Sequence, residues 1–285
     1  MALYYCLVKP TGKIPYLNLG CGYTFHEDWT NLDFVSNSPH VIAHNLLSGI
    51  PFEDATFEVV YHSHVLEHFP KGEAPAFLRE CARVMKSGGV IRIAIPDLEQ
   101  IAVNYLKYLN AAAQGDQQAV FRYHWSVMEM YDQVVRTKSG GEMSAMLRNL
   151  RPEEAAFLIE RNGKEIQNIL DEMKSGSTHS GKTSYSFGQR LKSLPESLRH
   201  RLLRLLMGED YRLYATAKFR SQGEIHQWMY DRFSLGELLT SCGFKNPVVC
   251  TAFESAIQDW KKFGLDGEGT NIRKPDSLFM EATRK

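Results

Sequence analysis

An α/β fold built on a parallel sheet is what this sequence predicts, on three observations. An apolar strand segment, Leu17-Asn18-Leu19, runs into the turn Gly20-Cys21-Gly22, and a second short strand, Asn31-Leu32-Asp33, ends in a carboxylate. Residues 57–61, Phe-Glu-Val-Val-Tyr, form an apolar, β-branched run suited to a strand buried on both faces. Strand-like runs also alternate with an amphipathic helical segment, and that order implies right-handed crossovers between parallel strands.

Each element has its own reason. Gly20 and Gly22 can take positive φ and carry no Cβ, so the backbone can turn sharply after the first strand and lie against a ligand. Asp33, at the tip of the second strand, can accept hydrogen bonds from both vicinal hydroxyls of a ribose. The pair reads as a binding site for an adenosyl cofactor, although a tight turn without a ligand also explains two glycines. Residues 72–85 place Phe77, Leu78, Cys81, Val84 and Met85 on one helical face, with Gly88-Gly89 as the stop. Residues 90–95, Val-Ile-Arg-Ile-Ala-Ile, are the next strand, closed by Pro96-Asp97.

Residues 16–99 resemble the class I S-adenosylmethionine-dependent methyltransferases of the ubiquinone-biosynthesis type. The matching motifs, in order, are Leu-Asn-Leu-Gly-Cys-Gly from Leu17, Leu32-Asp33, Leu66-Glu67-His68-Phe69, Leu-Arg-Glu-Cys-Ala-Arg-Val-Met-Lys-Ser-Gly-Gly from Leu78, and Ile-Pro-Asp-Leu-Glu from Ile95. The resemblance implies a Rossmann-like, doubly wound, mostly parallel seven-stranded sheet with a large helical insertion. The C-terminal region accommodates the missing strands, with a helix over 234–242 and strands over 247–253 and 278–283. The core is then discontinuous: residues 1–97 and 224–285 form it, and 98–223 are an insertion that forms a substrate or lid subdomain.

The implied cofactor is S-adenosylmethionine, held by Leu19, Gly20, Cys21, Gly22, Asp33, Asn45, Leu46, Ser63 and His64. Two positions depart from the family pattern. Only residues 23–30 separate the glycine turn from the second strand, so the helix usual there is reduced to a turn or two. Asn45 stands where the family often has an Asp near the adenine, and an amide can still bond an adenine edge. Relatives that methylate base amino groups show Asn/Asp-Pro-Pro-aromatic after the fourth strand. Here the sequence is His62-Ser63-His64-Val65, which disfavours that chemistry.

The 285 residues are 44% hydrophobic and 23% charged, with 33 basic against 33 acidic side chains, a balance that argues against a generic nucleic-acid binder. The apolar run over 2–8 is too short to span a membrane and lacks a basic leader, so an extra strand or tail is expected. Five scattered cysteines, Cys6, Cys21, Cys81, Cys242 and Cys250, show no metal-ligand spacing; a reduced, cytoplasmic protein without a metal site is expected. Cys21 reads as a small apolar filler rather than a nucleophile.

The insertion should set the acceptor. Tyr105, Leu109, Phe121, Trp125, Met128, Met130 and Tyr131 belong to aromatic- and methionine-rich helices that either pack on themselves or also wall a pocket. A further helix is expected over 151–173, with Pro152 at its start, then a Gly/Ser/Thr loop over 175–181. The next stretch is basic: Lys182, Arg190, Lys192, Arg199, Arg201, Arg204, Arg212, Lys218 and Arg220 oppose Glu196, Glu209 and Asp210. Within it, residues 197–207 form an amphipathic helix with Leu198, Leu202, Leu205 and Leu206 on its apolar side. A solvated face, capture of an anionic acceptor, and peripheral contact with an anionic membrane all fit this pattern.

His226, Trp228, Tyr230 and Asp231 crowd where the chain returns to the core, and similar bacterial methyltransferases carry a comparable His-x-Trp-x-Tyr-Asp segment. Trp228, Tyr230 and Asp231, with Asp97 at the fifth strand end, are read as substrate-binding. If the acceptor is a hydroxyl, a base is needed, and His64 and His226 are the candidates. His68 is expected to orient the turn by hydrogen bonds. The reading is methylation, favoured at oxygen, of a small-molecule, glycan or lipid-linked acceptor. A non-catalytic cofactor-binding scaffold is the alternative. A nicotinamide-dependent oxidoreductase would share the glycine turn and Asp33 but not the Leu-Glu-His motif.

Overall fold

The computed structural model of the protein describes residues 7–175 and 196–285. In chain order its elements are β1 (Tyr16–Leu19), β2 (Thr30–Asp33), β3 (Val41–Ala43), β4 (Phe57–Ser63), α1 (Ala74–Val84), β5 (Met85–Pro96), α2 (Leu98–Ala113), α3 (Gln117–Val135), α4 (Gly141–Met146), α5 (Pro152–Asn162), α6 (Lys164–Ser175), α7 (Glu196–Met207), α8 (Asp210–Arg220), α9 (Arg232–Ser241), β6 (Phe244–Cys250), β7 (Gly267–Glu268), β8 (Asn271–Ile272) and β9 (Ser277–Arg284). The main sheet has the strand order β3-β2-β1-β4-β5-β9-β6. β9 alone runs antiparallel, against both β5 and β6. The seven-stranded, mostly parallel sheet that the motifs implied is the observed one.

Side-chain alternation gives this sheet two different faces. Leu17, Leu19, Val60, Ile91, Ile93, Leu278 and Met280 point to one side and join Leu78 and Cys81 of α1 and Leu235 and Leu239 of α9 in the main core. The other side holds Val59 and Tyr61, and it is covered by Trp29 and by Ile257, Trp260, Phe263 and Leu265 from the segment between β6 and β7. Trp29 packs edge-on against Tyr16, Tyr61, Trp260 and Phe263.

A charge lies inside this second face. Arg92 of β5 is fully buried; its Nε donates to Asp266 Oδ2 at 2.7 Å and its Nη1 to Glu281 Oε1 at 2.7 Å. Nη1 also donates to the carbonyl of Glu254, and Nη2 to those of Thr251 and Ala252. The guanidinium stacks 4.4 Å from the Trp260 ring centroid.

The loop after β1 replaces a helix with side-chain bonds. Asn18 Nδ2 donates to the Thr24 carbonyl and to Asn31 Oδ1, while Asn31 Nδ2 donates to the carbonyls of His26 and Trp29. Two buried amides thus satisfy backbone groups that a helix would otherwise satisfy internally.

Several expected boundaries move, each for a visible reason. Gly88-Gly89 does not end α1, which stops at Val84. Both glycines lie within β5, where a Cβ on Gly89 would fall 2.7 Å from the Glu58 carbonyl oxygen. The helix expected over 151–173 is two helices broken at Gly163, whose φ is +72° and whose Cβ would lie 2.5 Å from Pro275 Cδ. The strand expected over 247–253 is β6, which begins earlier and ends at Cys250 because Arg92 takes the next two carbonyls. The helix expected over 234–242 is α9; it starts at Arg232 because Asp231 Oδ1 accepts from the Phe233 and Ser234 N–H groups.

The insertion has its own apolar cluster, in which Trp125, Leu147, Leu158, Ile166 and Leu170 are buried. α7 covers the predicted amphipathic helix, and its Leu205 and Leu206 are exposed, as is Leu213 of α8. Lys182, Arg190, Lys192 and most of the loop over 175–181 lie outside the described residues, as does Cys6 with the start of the N-terminal run. Among the described residues no helix is long and apolar enough to cross a membrane.

Two stability predictions follow from these contacts. Arg92→Met leaves Asp266 and Glu281 buried without their cation and should cost about 3–5 kcal/mol in denaturant unfolding. Asp231→Ala removes the α9 cap and should cost about 1 kcal/mol. The Ser234 N–H bond holds the Asp231 carboxyl below its usual range. Its share of stability is therefore complete above the unfolded carboxylate value and disappears as pH falls through the folded one. The difference between wild type and Asp231→Ala should shrink in acid, whereas Asp231→Asn should keep the cap at every pH.

Candidate active site

The carboxyl ends of β1, β2, β3 and β4 meet at one edge of the sheet. Gly20 and Gly22 both hold positive φ, +62° and +53°. Nothing lies within 4 Å of a Cβ built on Gly22, so the turn leaves open space there. A Cβ on Gly20 would fall 2.4 Å from Val65 Cγ2, so this position requires glycine for close packing as well as for its φ.

Asp33 Oδ2 accepts from the Gly22 N–H at 2.8 Å and Oδ1 from the Val35 N–H at 3.3 Å. Each oxygen keeps lone-pair capacity, so the carboxylate can still receive ribose hydroxyls. Asn45 caps the short turn Leu46–Ser48 through a bond from the Leu47 N–H to its Oδ1, which leaves its amide N–H groups to offer. Leu19 is buried, Leu46 packs on the core, and Ser63 Oγ accepts from Arg273 Nη2 at 3.0 Å. Cys21 is a buried thiol whose pKa burial pushes up to about 12, which bears on the nucleophile alternative and disfavours it.

Tyr23, Phe34 and Leu47 are exposed, and each follows the cofactor-side ends of β1, β2 and β3 closely in sequence. Sequence reasoning passed over them, since single exposed apolar residues carry no pattern. An open glycine turn, a carboxylate with spare lone pairs and an apolar rim fit an adenosyl group.

On the other side of the β4 end lies a cavity of about 330 Å3. His64 borders it together with Trp125, Met143 and Ile166 on the apolar side and Gln133 and Asp276 on the polar side. His64 has φ +55°, and its N–H is tied to the Ala94 carbonyl. Its Nε2 lies 2.9 Å from Ser277 Oγ and its Nδ1 3.2 Å from Glu67 Oε1. Burial, with Lys274 next, holds the His64 imidazole well below its ordinary pKa, so it is neutral at neutral pH. Ser277 was invisible in the sequence, being a lone serine ahead of an apolar strand.

Behind His64 stand Glu67, His68 and His226. Burial pushes the Glu67 carboxyl up to about 8 and His226 down to about 3. His226 is buried, 4.0 Å from Glu67 Oε1, and does not border the cavity. It stands instead with Glu67 and His68. His68 Nδ1 donates to the Ile225 carbonyl at 3.0 Å and orients the turn.

The four residues expected to bind substrate do not border this cavity either. Asp97 caps α2 through the N–H groups of Glu99 and Gln100. Trp228 is 40% exposed beneath Lys71 Nζ. Tyr230 is buried in the main core and Asp231 caps α9. None of these four lines the cavity, since their side chains are committed to helix starts, the core or the outer surface. Arg201, Arg204, Arg212, Lys218 and Arg220 do not line it either.

Residues 17–93 match the family described as Methyltransferase domain. Residues 17–93 of this chain therefore carry a methyltransferase domain, the kind for which the sequence motifs imply S-adenosylmethionine. The chain is similar to the solved DszA carbon methyltransferase, with 17% identity over 32% of this chain and 31% of that one and a TM-score of 0.24. It is also similar to the CurJ carbon methyltransferase, with 8% identity over 97% and 50% of the two chains and a TM-score of 0.38. An S-adenosylmethionine-dependent methyltransferase from Mesorhizobium loti shares 15% identity over 32% of this chain and 49% of its own, with a TM-score of 0.23. The chain thus spans half or less of the length of each of these three structures. No curated protein matches the sequence.

Asp33→Ala removes the carboxylate expected to accept the ribose hydroxyls and should weaken S-adenosylmethionine binding by about 1–3 kcal/mol, read by titration calorimetry. Binding of equal strength in the variant would show that the ribose sits elsewhere.

Proposed function

We propose that this chain transfers the methyl group of S-adenosylmethionine to a hydroxyl of a small molecule or single glycan unit held in the cavity beside His64. The observation that carries this reading is the β4 turn. Val65 packs on Gly20 of the cofactor turn, while its neighbour His64 borders the cavity, so one dipeptide separates the two compartments. A cavity of about 330 Å3 is at the small end of ligand pockets, typically ~300–1,000 Å3.

The bound cofactor supplies an already activated methyl on a sulfonium. The protein then has to align the acceptor, exclude water and accept a proton. Trp125, Met143 and Ile166 provide the apolar wall that excludes water; Gln133 and Asp276 provide polar groups that can fix the acceptor's orientation. His64 is neutral, and in the tautomer with its proton on Nδ1, the nitrogen 3.2 Å from Glu67 Oε1, its Nε2 keeps the lone pair. That nitrogen takes the hydroxyl proton directly or through the Ser277 hydroxyl, which can donate and accept at once. Methylation at oxygen is favoured over nitrogen because an amine needs no such base.

His64→Gln should lower kcat by roughly 10²–10⁴-fold while S-adenosylmethionine affinity stays unchanged, as measured by labelled-methyl transfer beside calorimetry. Ser277→Ala should lower kcat less. A His64→Gln enzyme within a few fold of wild type would mean that the acceptor is already nucleophilic.

A further inference from the structure

Directly behind the His64 position, three metal-ligating side chains converge from two distant parts of the chain. Glu67 and His68 stand on the 3-10 turn Leu66–His68 that follows β4, and His226 arrives from the segment after α8. One ligand atom from each lies within 4.8 Å of the others. The two parts are held in register by the backbone: Gln227 and Trp228 donate N–H groups to the Glu67 carbonyl at 2.7 and 3.2 Å, and the His226 N–H goes to the Gln133 carbonyl at 2.9 Å.

The side chains are prepared for a cation. A carbonyl oxygen can only accept, so the bond from His68 to Ile225 places the proton on Nδ1 and leaves the Nε2 lone pair free. This is the arrangement by which an outer partner fixes the tautomer of a metal-bound imidazole. His226 crosses His68 edge-on, with ring centroids 5.0 Å apart. Glu67 is 1% exposed, and neither carboxyl oxygen has a hydrogen-bond partner. Buried polar groups are as a rule hydrogen-bonded, and a native protein leaves one without a partner only where something compensates it.

We infer that Glu67, His68 and His226 bind one divalent transition-metal ion of the zinc class, which staples the segment returning from the insertion to the β4 turn. Two imidazoles and one carboxylate match zinc, or iron(II) and cobalt(II), and not calcium or magnesium, whose sites are built from oxygen alone. Ligand atoms bound at ~2.0–2.2 Å around a tetrahedral ion lie roughly 3.3–3.5 Å apart. The 4.0 Å between His226 Nε2 and Glu67 Oε1 therefore closes by small side-chain rotations. Water takes the fourth position. Glu67 Oε1 is also 3.2 Å from His64 Nδ1, so an ion bound there stands one side chain away from His64.

The site is read by metal binding alone, without cofactor or acceptor, so its outcome is independent of the methyl-transfer reading. The full chain is stripped with chelator and titrated with Co2+, then with Zn2+ in competition. One cobalt per chain with visible d–d absorption, displaced by zinc, and a raised Tm are expected. Glu67→Gln and His226→Ala should each weaken binding by about 100-fold or more. Should a variant fail to fold, zinc-edge X-ray absorption of the wild-type protein decides the matter. Two imidazoles and oxygen in the shell support the site, whereas sulfur in the shell or fewer than two imidazoles overturns it. Absence of cobalt bands at saturating metal, or equal affinity in wild type and Glu67→Gln, also overturns it.

Discussion

The buried guanidinium of Arg92 holds the strands and the chain leaving β6 together on one face of the sheet. A charge at the centre of a sheet face is tolerated only when its partners are fixed, and here they include two carboxylates and three backbone carbonyls. Those carbonyls belong to residues 251–254, so the chain leaving β6 is bent across the sheet. Trp260 and Phe263 are thereby laid on Trp29 and Tyr61. The second layer on that face is therefore an aromatic segment anchored by an ion pair.

The same network reaches the site. Asp266 accepts from Tyr61 Oη at 2.6 Å as well as from Arg92, and its carbonyl accepts from the Arg273 N–H. Arg273 then donates through Nη2 to Ser63 Oγ, immediately before His64. Ser277, the partner of His64 Nε2, opens β9, the strand that also carries Glu281. The position of His64 is thus set jointly by β4 and by a segment about two hundred residues later in the chain. Its left-handed φ of +55° is compatible with that double attachment, since the N–H is fixed to Ala94 while the ring is fixed from β9 and the Leu66–His68 turn.

Much of the sheet was legible because its signals are local. Leu17-Asn18-Leu19-Gly20 has strand alternation followed by residues free to take positive φ, and the run from Phe57 has the β-branched character of a strand buried on both sides. The departures came where a distant partner outweighs local preference. Gly163 breaks a helically patterned stretch because Pro275 and the Arg273 carbonyl approach too closely for a Cβ. Gly88-Gly89 reads as a helix stop yet lies within β5, since the Glu58 carbonyl occupies the space beside Gly89. Asp97 and Asp231 look like chemistry at strand and junction ends, but each meets the free N–H groups of a helix start, which is the commoner employment of a lone Asp.

Spacing and residue type along the chain were enough for the strand–turn–strand edge at Gly20 and Asp33 and for the histidines after β4, whereas the sheet completed by late strands was what the family resemblance implied. Only the tertiary structure decided which histidine faces the cavity, that Ser277 stands beside it, and that His226 meets Glu67 and His68. These depend on pairings between residues more than 150 positions apart, and no periodicity along a chain encodes the direction in which a distant side chain will point.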